Sequence, residues 1–264
     1  FSWGIRVGAL QAQLAYSTSI NRPSYRQLSS NTLYGSRYTY QTGNPLLRPE
    51  YTHELALQGV WRFIQFQASY SETRNAIINW ATQLESQPAV SVMSYKNLTS
   101  VKQMRLAAVL SRTFGIWNTQ LTLAMNKQFL HIDTQMGAIS LNDPVWVTKF
   151  SNSFKVSKTF TMYLTANYQS SGDYRNVHLT RHVWTVNFNA TKSFCHDLFS
   201  VQIKANDIFN TQKDGNRVYS ERMTMDLLNT YDFRAVSLTL RYNFNDKSYE
   251  QHSHSNVNEE LRRF

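Results

Sequence analysis

Side chains along this sequence alternate in polarity with a period of two over nearly its whole length, and only extended strands sort residues onto two faces at that spacing. Leu10, Ala12, Leu14, Tyr16 and Ile20 share one face, while Gln11, Gln13, Ser17 and Ser19 share the other. Leu55, Leu57 and Trp61 oppose Glu54 and Gln58. The phase then changes at Arg62, so that Ile64, Phe66, Ala68 and Tyr70 oppose Gln65, Gln67 and Ser69, which marks a tight turn. The pattern continues with Met104, Leu106, Ala108 and Leu110 against Gln103, Arg105 and Ser111. After Phe114-Gly115, Leu121, Leu123 and Met125 oppose Gln120, Thr122 and Asn126. Further strands are predicted through Phe150, Phe154 and Val156, through Met162 to Tyr168, through Trp184 to Ala190 and through Phe199 to Ala205. In the last, Val236, Leu238, Leu240, Tyr242 and Phe244 alternate with Ser237, Thr239, Arg241 and Asn243, giving about ten strands.

The connections alternate too. Brief turns are predicted near residues 62, 114–117, 157–159 and 193–198, and longer polar segments near 22–49, 76–98, 130–144, 172–177 and 210–231. Short turns on one side and long loops on the other are the pattern of an outer-membrane barrel. Trp61, Phe63, Phe114, Trp117, Phe160, Phe194 and Phe199 gather near the short turns, as rings do at a membrane interface. The aromatic content, 15 Tyr, 15 Phe and 6 Trp, favours strands and interfacial anchoring in the same way. No run approaches the ~18 apolar residues of a membrane helix. A soluble sandwich also alternates, but several strands here reach the length of nine to eleven residues that a tilted membrane strand needs.

Charge narrows the partners. The formal net charge is +10, yet Lys and Arg are scattered without a basic block or a nucleic-acid signature, so no nucleic-acid partner is predicted; anionic lipid or lipopolysaccharide fits as well. The single cysteine, Cys195, permits no internal disulfide and is given no function. The first residues, Phe1-Ser2-Trp3-Gly4, lack an initiator Met and the order of a signal peptide, so the chain reads as a mature product or, by preference, a fragment.

Two segments carry a family resemblance. Ile20-Asn21-Arg22-Pro23-Ser24-Tyr25 and Tyr38 to Tyr51, which contains Gly43-Asn44-Pro45-Leu46-Leu47-Arg48-Pro49-Glu50, resemble a signature of TonB-dependent outer-membrane receptors of the Bacteroidetes type. Asn206-Asp207-Ile208-Phe209-Asn210-Thr211 and the closing Leu240 to Phe244 are similar to the last strands of those barrels. Pro23, Pro45 and Pro49 suit loops, since proline cannot donate to a strand ladder. The resemblance implies an all-β, antiparallel transmembrane barrel, the C-terminal part of a larger one of about 22 strands with an N-terminal plug. It also implies location in the outer membrane and uptake of a nutrient driven by the TonB complex through a part not present here. Ten strands cannot close so wide a barrel, so the chain is predicted either to be one piece of it, incompetent for transport alone, or to close a smaller barrel by itself or with copies. Residues 1–244 are assigned to barrel strands and loops, and 245–264 to a polar tail on the periplasmic side.

No catalytic, cofactor-binding or metal-binding residue is assigned, no cofactor is predicted and the chain is read as a non-enzyme. His252 and His254 lie in the polar tail without a carboxylate or Cys cluster, which makes them weak ligands. Asp133, Asp143, Asp173, His178 and His182 would be loop-side candidates for a rim hydrolase, but their spacing carries no motif. Tyr34, Tyr38, Tyr40, Trp80 and Tyr174 would suit stacking on a sugar ring or an aromatic substrate, but rim aromatics anchor barrels regardless of ligand, which is the preferred reading. No binding residue is therefore assigned to the nutrient or glycan ligand. Gln11, Gln13, Gln65 and Gln67 are predicted to face the lumen. The reading from a different class is a soluble β-sheet adhesion or glycan-binding module with a dry core.

Overall fold

The computed structural model describes residues 1–84 and 86–244. In chain order the elements are β1 (Ser2–Val7), β2 (Leu10–Asn21), α1 (Tyr25–Leu28), β3 (Leu33–Ser36), β4 (Thr39–Gln41), β5 (Glu50–Trp61), β6 (Ile64–Leu84), β7 (Gln87–Phe114) and β8 (Trp117–Thr134). They continue with β9 (Gly137–Leu141), β10 (Val145–Ser157), β11 (Phe160–Gln169), β12 (Gly172–Tyr174), β13 (Val177–Leu179), β14 (Val183–Phe194), β15 (Phe199–Asn206), β16 (Asp214–Tyr219), β17 (Thr224–Asn229) and β18 (Ala235–Tyr242). Eleven of them form one antiparallel wall in the order β1-β2-β5-β6-β7-β8-β10-β11-β14-β15-β18. The wall is an open, partial barrel: β1 and β18 each pair on one side only. A ladder also runs through β1, whose Trp3, Ile5 and Val7 alternate with Gly4 and Arg6, an eleventh strand beyond the ten that alternation predicted.

Register locks like onto like across the wall. One row runs Trp3, Leu14, Leu57, Ala68, Leu106, Met125 and Trp146, each residue directly opposite the next. The neighbouring row runs Gly4, Gln13, Gln58, Gln67, Ala107 and Ala124 on the other face. Because strand side chains have a period of two, a slip of one residue would put every glutamine into lipid. The apolar face has no protein over it: Leu55 is 48% exposed and Leu57 39%. Such a layer is held together by its ladders, with the hydrocarbon of a bilayer as the medium its apolar face requires. Gly59 lies opposite Phe66, whose ring fills the space a side chain would need; an added Cβ would come within 2.4 Å of it.

The short turns fall where alternation put them, at Arg62-Phe63, Gly115-Ile116, Lys158-Thr159 and 195–198, with one more at Gly8-Ala9. Gly115 and Arg62 take the left-handed backbone (φ 57° and 55°) that a tight hairpin demands. The aromatic collar predicted there is present, with Phe114 stacked on Trp117 at 5.4 Å, Trp117 on Phe154 at 6.3 Å and Phe194 against Phe199 at 6.1 Å. Asn152 is on the same apolar face, and its Oδ1 accepts the Trp117 indole N–H at 2.9 Å.

The other edge departs from the polar loops predicted at 76–98 and 130–144. There β6 and β7 run for 21 and 28 residues, and β8 for 18, far more than the nine to eleven that cross a bilayer, so the β6–β7 hairpin stands well outside it. Residues 76–98 are thus mostly strand, and they hold buried apolar side chains. Ala76, Ile78, Trp80, Val101, Leu130, Ile132 and Leu141 form the core cluster, with Leu98, Ile139 and Tyr219 packed against it. The cause is a change of phase at Asn75, where φ is +54°. Thr73 pairs with Val101, so below Asn75 the odd-numbered residues of β6 face inward. Above it Ala76, Ile78 and Trp80 join Val101 in the same cluster. The pairing register itself does not shift at this point.

The remaining loops are built on this projection. Helix α1 carries a Ser24/Gln27 capping box, and β4 joins β7 in a parallel pair. Strands β12, β13, β16 and β17 make a separate four-stranded sheet from the loops between β11 and β14 and between β15 and β18. The tail predicted for residues 245–264 lies outside the described residues.

Candidate functional site on the inner face

Strand β5 begins at Glu50, level with the middle of β6, so among the described residues the edge of β6 from Ile77 onward has no neighbouring strand on that side. Buried backbone groups without partners would each cost about 1–3 kcal/mol. Loop side chains supply them instead. Glu50 Oε1 accepts the Ile77 N–H at 2.6 Å, and Arg175 donates to the Ile77 carbonyl. Asn176 Nδ2 donates to the Asn79 carbonyl at 2.8 Å, and the Ala81 N–H donates to Ser220 Oγ at 3.1 Å. Residues 77, 79 and 81 are the ones a β5 extension would have paired.

Arg175 is at the tip of the β12–β13 hairpin with φ 52°, and this hairpin crosses the inner face as a strap. Its guanidinium pairs with Glu50 at 3.2 Å. Its backbone is held at both ends by Gln128, whose Oε1 accepts the Arg175 N–H at 2.6 Å and whose Nε2 donates to the Arg175 carbonyl at 2.8 Å. Asn21 Nδ2 donates to the second Glu50 oxygen at 2.7 Å. Glu50, Gln128 and Asn176 are all buried. Beneath the strap is a polar cavity of about 180 Å³, lined on the wall side by Glu54, Ser71, Gln103 and Arg105 and on the strap side by Tyr174 and Arg175. Asn126, opposite Arg105 in register, keeps a buried Oδ1 without a hydrogen-bond partner among the described residues.

Three of the five rim residues named from sequence come together at the root of the strap. Asp173 is buried, and its Oδ1 accepts from His178 Nδ1 at 2.7 Å while its Oδ2 accepts the Asp143 N–H at 2.7 Å. Ligand atoms of Asp143, Asp173 and His178 lie within 4.8 Å of one another, the spread of a small cation site. Both Asp173 oxygens are already engaged, however, and the arrangement ties the β12–β13 hairpin to the loop before β10. Asp133 and His182 are elsewhere: Asp133 is opposite Ala138 on the β8–β9 hairpin, and His182 contacts the Tyr168 hydroxyl at 3.1 Å. The five therefore do not form one site.

The aromatic candidates also separate. Tyr34 and Tyr40 meet edge to face at 4.8 Å, Tyr38 is exposed, and Tyr174 lines the cavity. Trp80 is not available to a ligand, because it is buried in the core cluster with the Lys96 ammonium 4.5 Å above its ring. Gln11, Gln13, Gln65 and Gln67 share the inner face around a larger hollow of about 580 Å³ near the short-turn edge, where Gln58 Nε2 donates to Gln13 Oε1 at 3.0 Å. Cys195 is exposed in a turn.

The residues that carried the family resemblance prove to be fasteners. Asn44 Nδ2 donates to the Tyr95 carbonyl at 2.9 Å, and Asn97 Oδ1 accepts the Arg48 N–H at 2.8 Å, so the segment before β5 is sewn to the projecting hairpin. Asp207, just beyond β15, accepts the N–H groups of Thr211 and Gln212, each at 3.0 Å. Burial pushes its carboxyl up, but those two bonds, the Thr211 hydroxyl and the charge of Arg234 outweigh it and hold it below the ordinary carboxylate range.

A wall of this kind is matched by a family model, described as the outer membrane protein beta-barrel family, over residues 7–242. The chain belongs to that family. It is an outer-membrane barrel wall, and the apolar face described above is its lipid face. Family membership overturns the reading as a soluble module with a dry core. Solved structures agree on the fold. The siderophore receptor PirA from Pseudomonas aeruginosa matches with a TM-score of 0.58 at 14% identity, over 80% of this chain and 38% of that one. PirA from Acinetobacter baumannii matches with a TM-score of 0.53 at 12% identity, over 92% and 40%. A variant of the ferric enterobactin receptor of Pseudomonas aeruginosa, in complex with enterobactin, gives 0.51 at 12% identity, over 79% and 34%. The chain thus spans about two-fifths or less of the length of these receptors. No curated protein matches it.

Proposed function

We propose that this chain is the C-terminal wall of a larger outer-membrane receptor, one that takes up a nutrient in a TonB-dependent manner and breaks no bond in doing so. The observation that carries the reading is the sorting of the two faces. A lipid-facing apolar side is backed by a polar inner side, and at the outer end a latched strap roofs a cavity lined by Glu54, Gln103, Arg105 and Tyr174. A solute entering from outside would meet this strap before the glutamine-lined hollow below it, where the plug of the complete receptor would lie. Lipopolysaccharide would surround the outer part of the lipid face. Siderophore binding by proteins of similar fold supports an iron-chelate cargo as the first to try.

The test uses the full-length receptor expressed in cells that lack their own siderophore receptors, with and without a functional TonB. Uptake of radiolabelled ferric siderophore that needs both receptor and TonB is the expected result. Uptake that persists without TonB would overturn the energy-coupled reading. A receptor correctly inserted yet silent toward a panel of siderophores would overturn the cargo.

A further inference from the structure

The short-turn rim carries cations that form no salt bridge among the described residues. On its lipid face the Arg112 guanidinium lies 5.3 Å from the ring centres of both Phe63 and Phe114. Lys192 lies 5.8 Å from both Phe160 and Phe194, and Arg62 lies 5.4 Å from Trp61. Both flanked cations are two residues from a strand end, Arg112 before Phe114 and Lys192 before Phe194. Such a position lets a long side chain keep its stem against hydrocarbon and its charge at headgroup depth. The stacked rings of Trp117 and Phe154 stand on β8 and β10, between the two stations. Among the described residues, no salt bridge involves Arg62, Arg112 or Lys192. Lys158 adds a further cation in the β10–β11 turn, and of the described carboxylates only Asp197 lies at a short turn.

We propose that this rim is a docking surface for anionic glycerophospholipid headgroups. Arg112 and Lys192 each bind the phosphate of a separate lipid, and Phe63 with Phe114 and Phe160 with Phe194 hold the two cations in place. The ring faces already favour a cation at these points, so ordering the side chain costs little when the phosphate arrives. A guanidinium fork matches two phosphate oxygens, and the ammonium of Lys192 acts as a point charge. The occupant is a phospholipid because short turns face the periplasm in such barrels, and that side is where the phospholipid leaflet lies. The inference rests on the transmembrane orientation and is independent of the cargo proposed above.

The experiment reconstitutes the full-length receptor in nanodiscs of phosphatidylcholine with a minority of phosphatidylglycerol and counts retained lipids by native mass spectrometry. The wild type is expected to retain phosphatidylglycerol in preference, and the double variant Arg112→Gln, Lys192→Gln to lose that preference, on the order of fivefold for each cation removed. Arg112→Lys should keep most of it. Arg37→Gln with Lys213→Gln, on exposed outer loops, should leave it unchanged. Heat-modifiable gel mobility confirms that every variant is folded. Equal retention by the wild type and the double variant would overturn the proposal. So would a competition arm in which added lipopolysaccharide displaces phosphatidylglycerol from the wild type but not from the double variant.

Discussion

Below Asn75 the β6–β7 ladder turns Phe66, Ala68, Leu106 and Ala108 toward lipid and keeps Gln65, Gln67 and Gln103 inside. Above it the same two strands turn Ala76, Ile78 and Trp80 inward and cover them with β9 and Tyr219. The lower region leaves its apolar side chains uncovered because hydrocarbon is its surroundings. The upper region stands in water and must assemble a core of its own from loops. One strand pair can thus serve two media if its faces are exchanged at the boundary.

Trp80→Ala should have the largest effect on the outer region. Truncating a buried Trp costs about 3–5 kcal/mol, and the loss should fall on the outer assembly alone. Limited proteolysis on intact cells should cut the outer loops while heat-modifiable mobility of the barrel persists; simultaneous loss of both would mean that the regions are not separable. Next, Leu57→Arg against Gln58→Arg compares the two faces of one strand. At mid-membrane the first should cost about 2–4 kcal/mol in folding into liposomes, and the second should be close to neutral. Similar costs would contradict the assignment of faces.

Arg175→Ala joins the two regions. It leaves the buried Glu50 without its cation and the Ile77 carbonyl without its donor, at a cost of about 2–3 kcal/mol given the partial exposure of Arg175. Hydrogen exchange should accelerate at the Ile77 and Arg175 amides and stay slow in the wall. The smallest effect is acid sensitivity at Asp207. Its pKa is lowered on folding, so its contribution is complete above the unfolded carboxylate value near ~4 and is lost as pH falls through the lower folded value. Asp207→Asn should flatten that acid limb in the protection of the loop after β15, while the neutral-pH plateau drops.

The wall was legible because each of its strands repeats one rule, and the phase change at Arg62 marked the β5–β6 turn directly. The outer hairpin was not, because at Asn75 the alternation is interrupted and Ala76-Ile77-Ile78 reads as neither phase. Trp80 then looked like a rim aromatic when it is a core one. Asp143, Asp173 and His178 were visible as a type of residue but not as neighbours. The strap was beyond reach, since Arg175 and Glu50 are 125 positions apart and meet only because β5 stops short of β6. In the resemblance-bearing segments, Asn44, Glu50 and Asp207 matter for what they tie together, which sequence alone gives no means of reading.

The reversal at Asn75 also constrains how such a receptor can vary. Adding or removing a single residue between Ala76 and Ile78, with Asn75 unchanged, would send Ile78 and Trp80 outward and Asn79 into the core. Paired additions near the tip of the hairpin leave both faces as they are. Length changes among relatives should therefore cluster toward the tip and come in twos, which makes residue 75 a fixed waterline from which the height of the outer structure is measured.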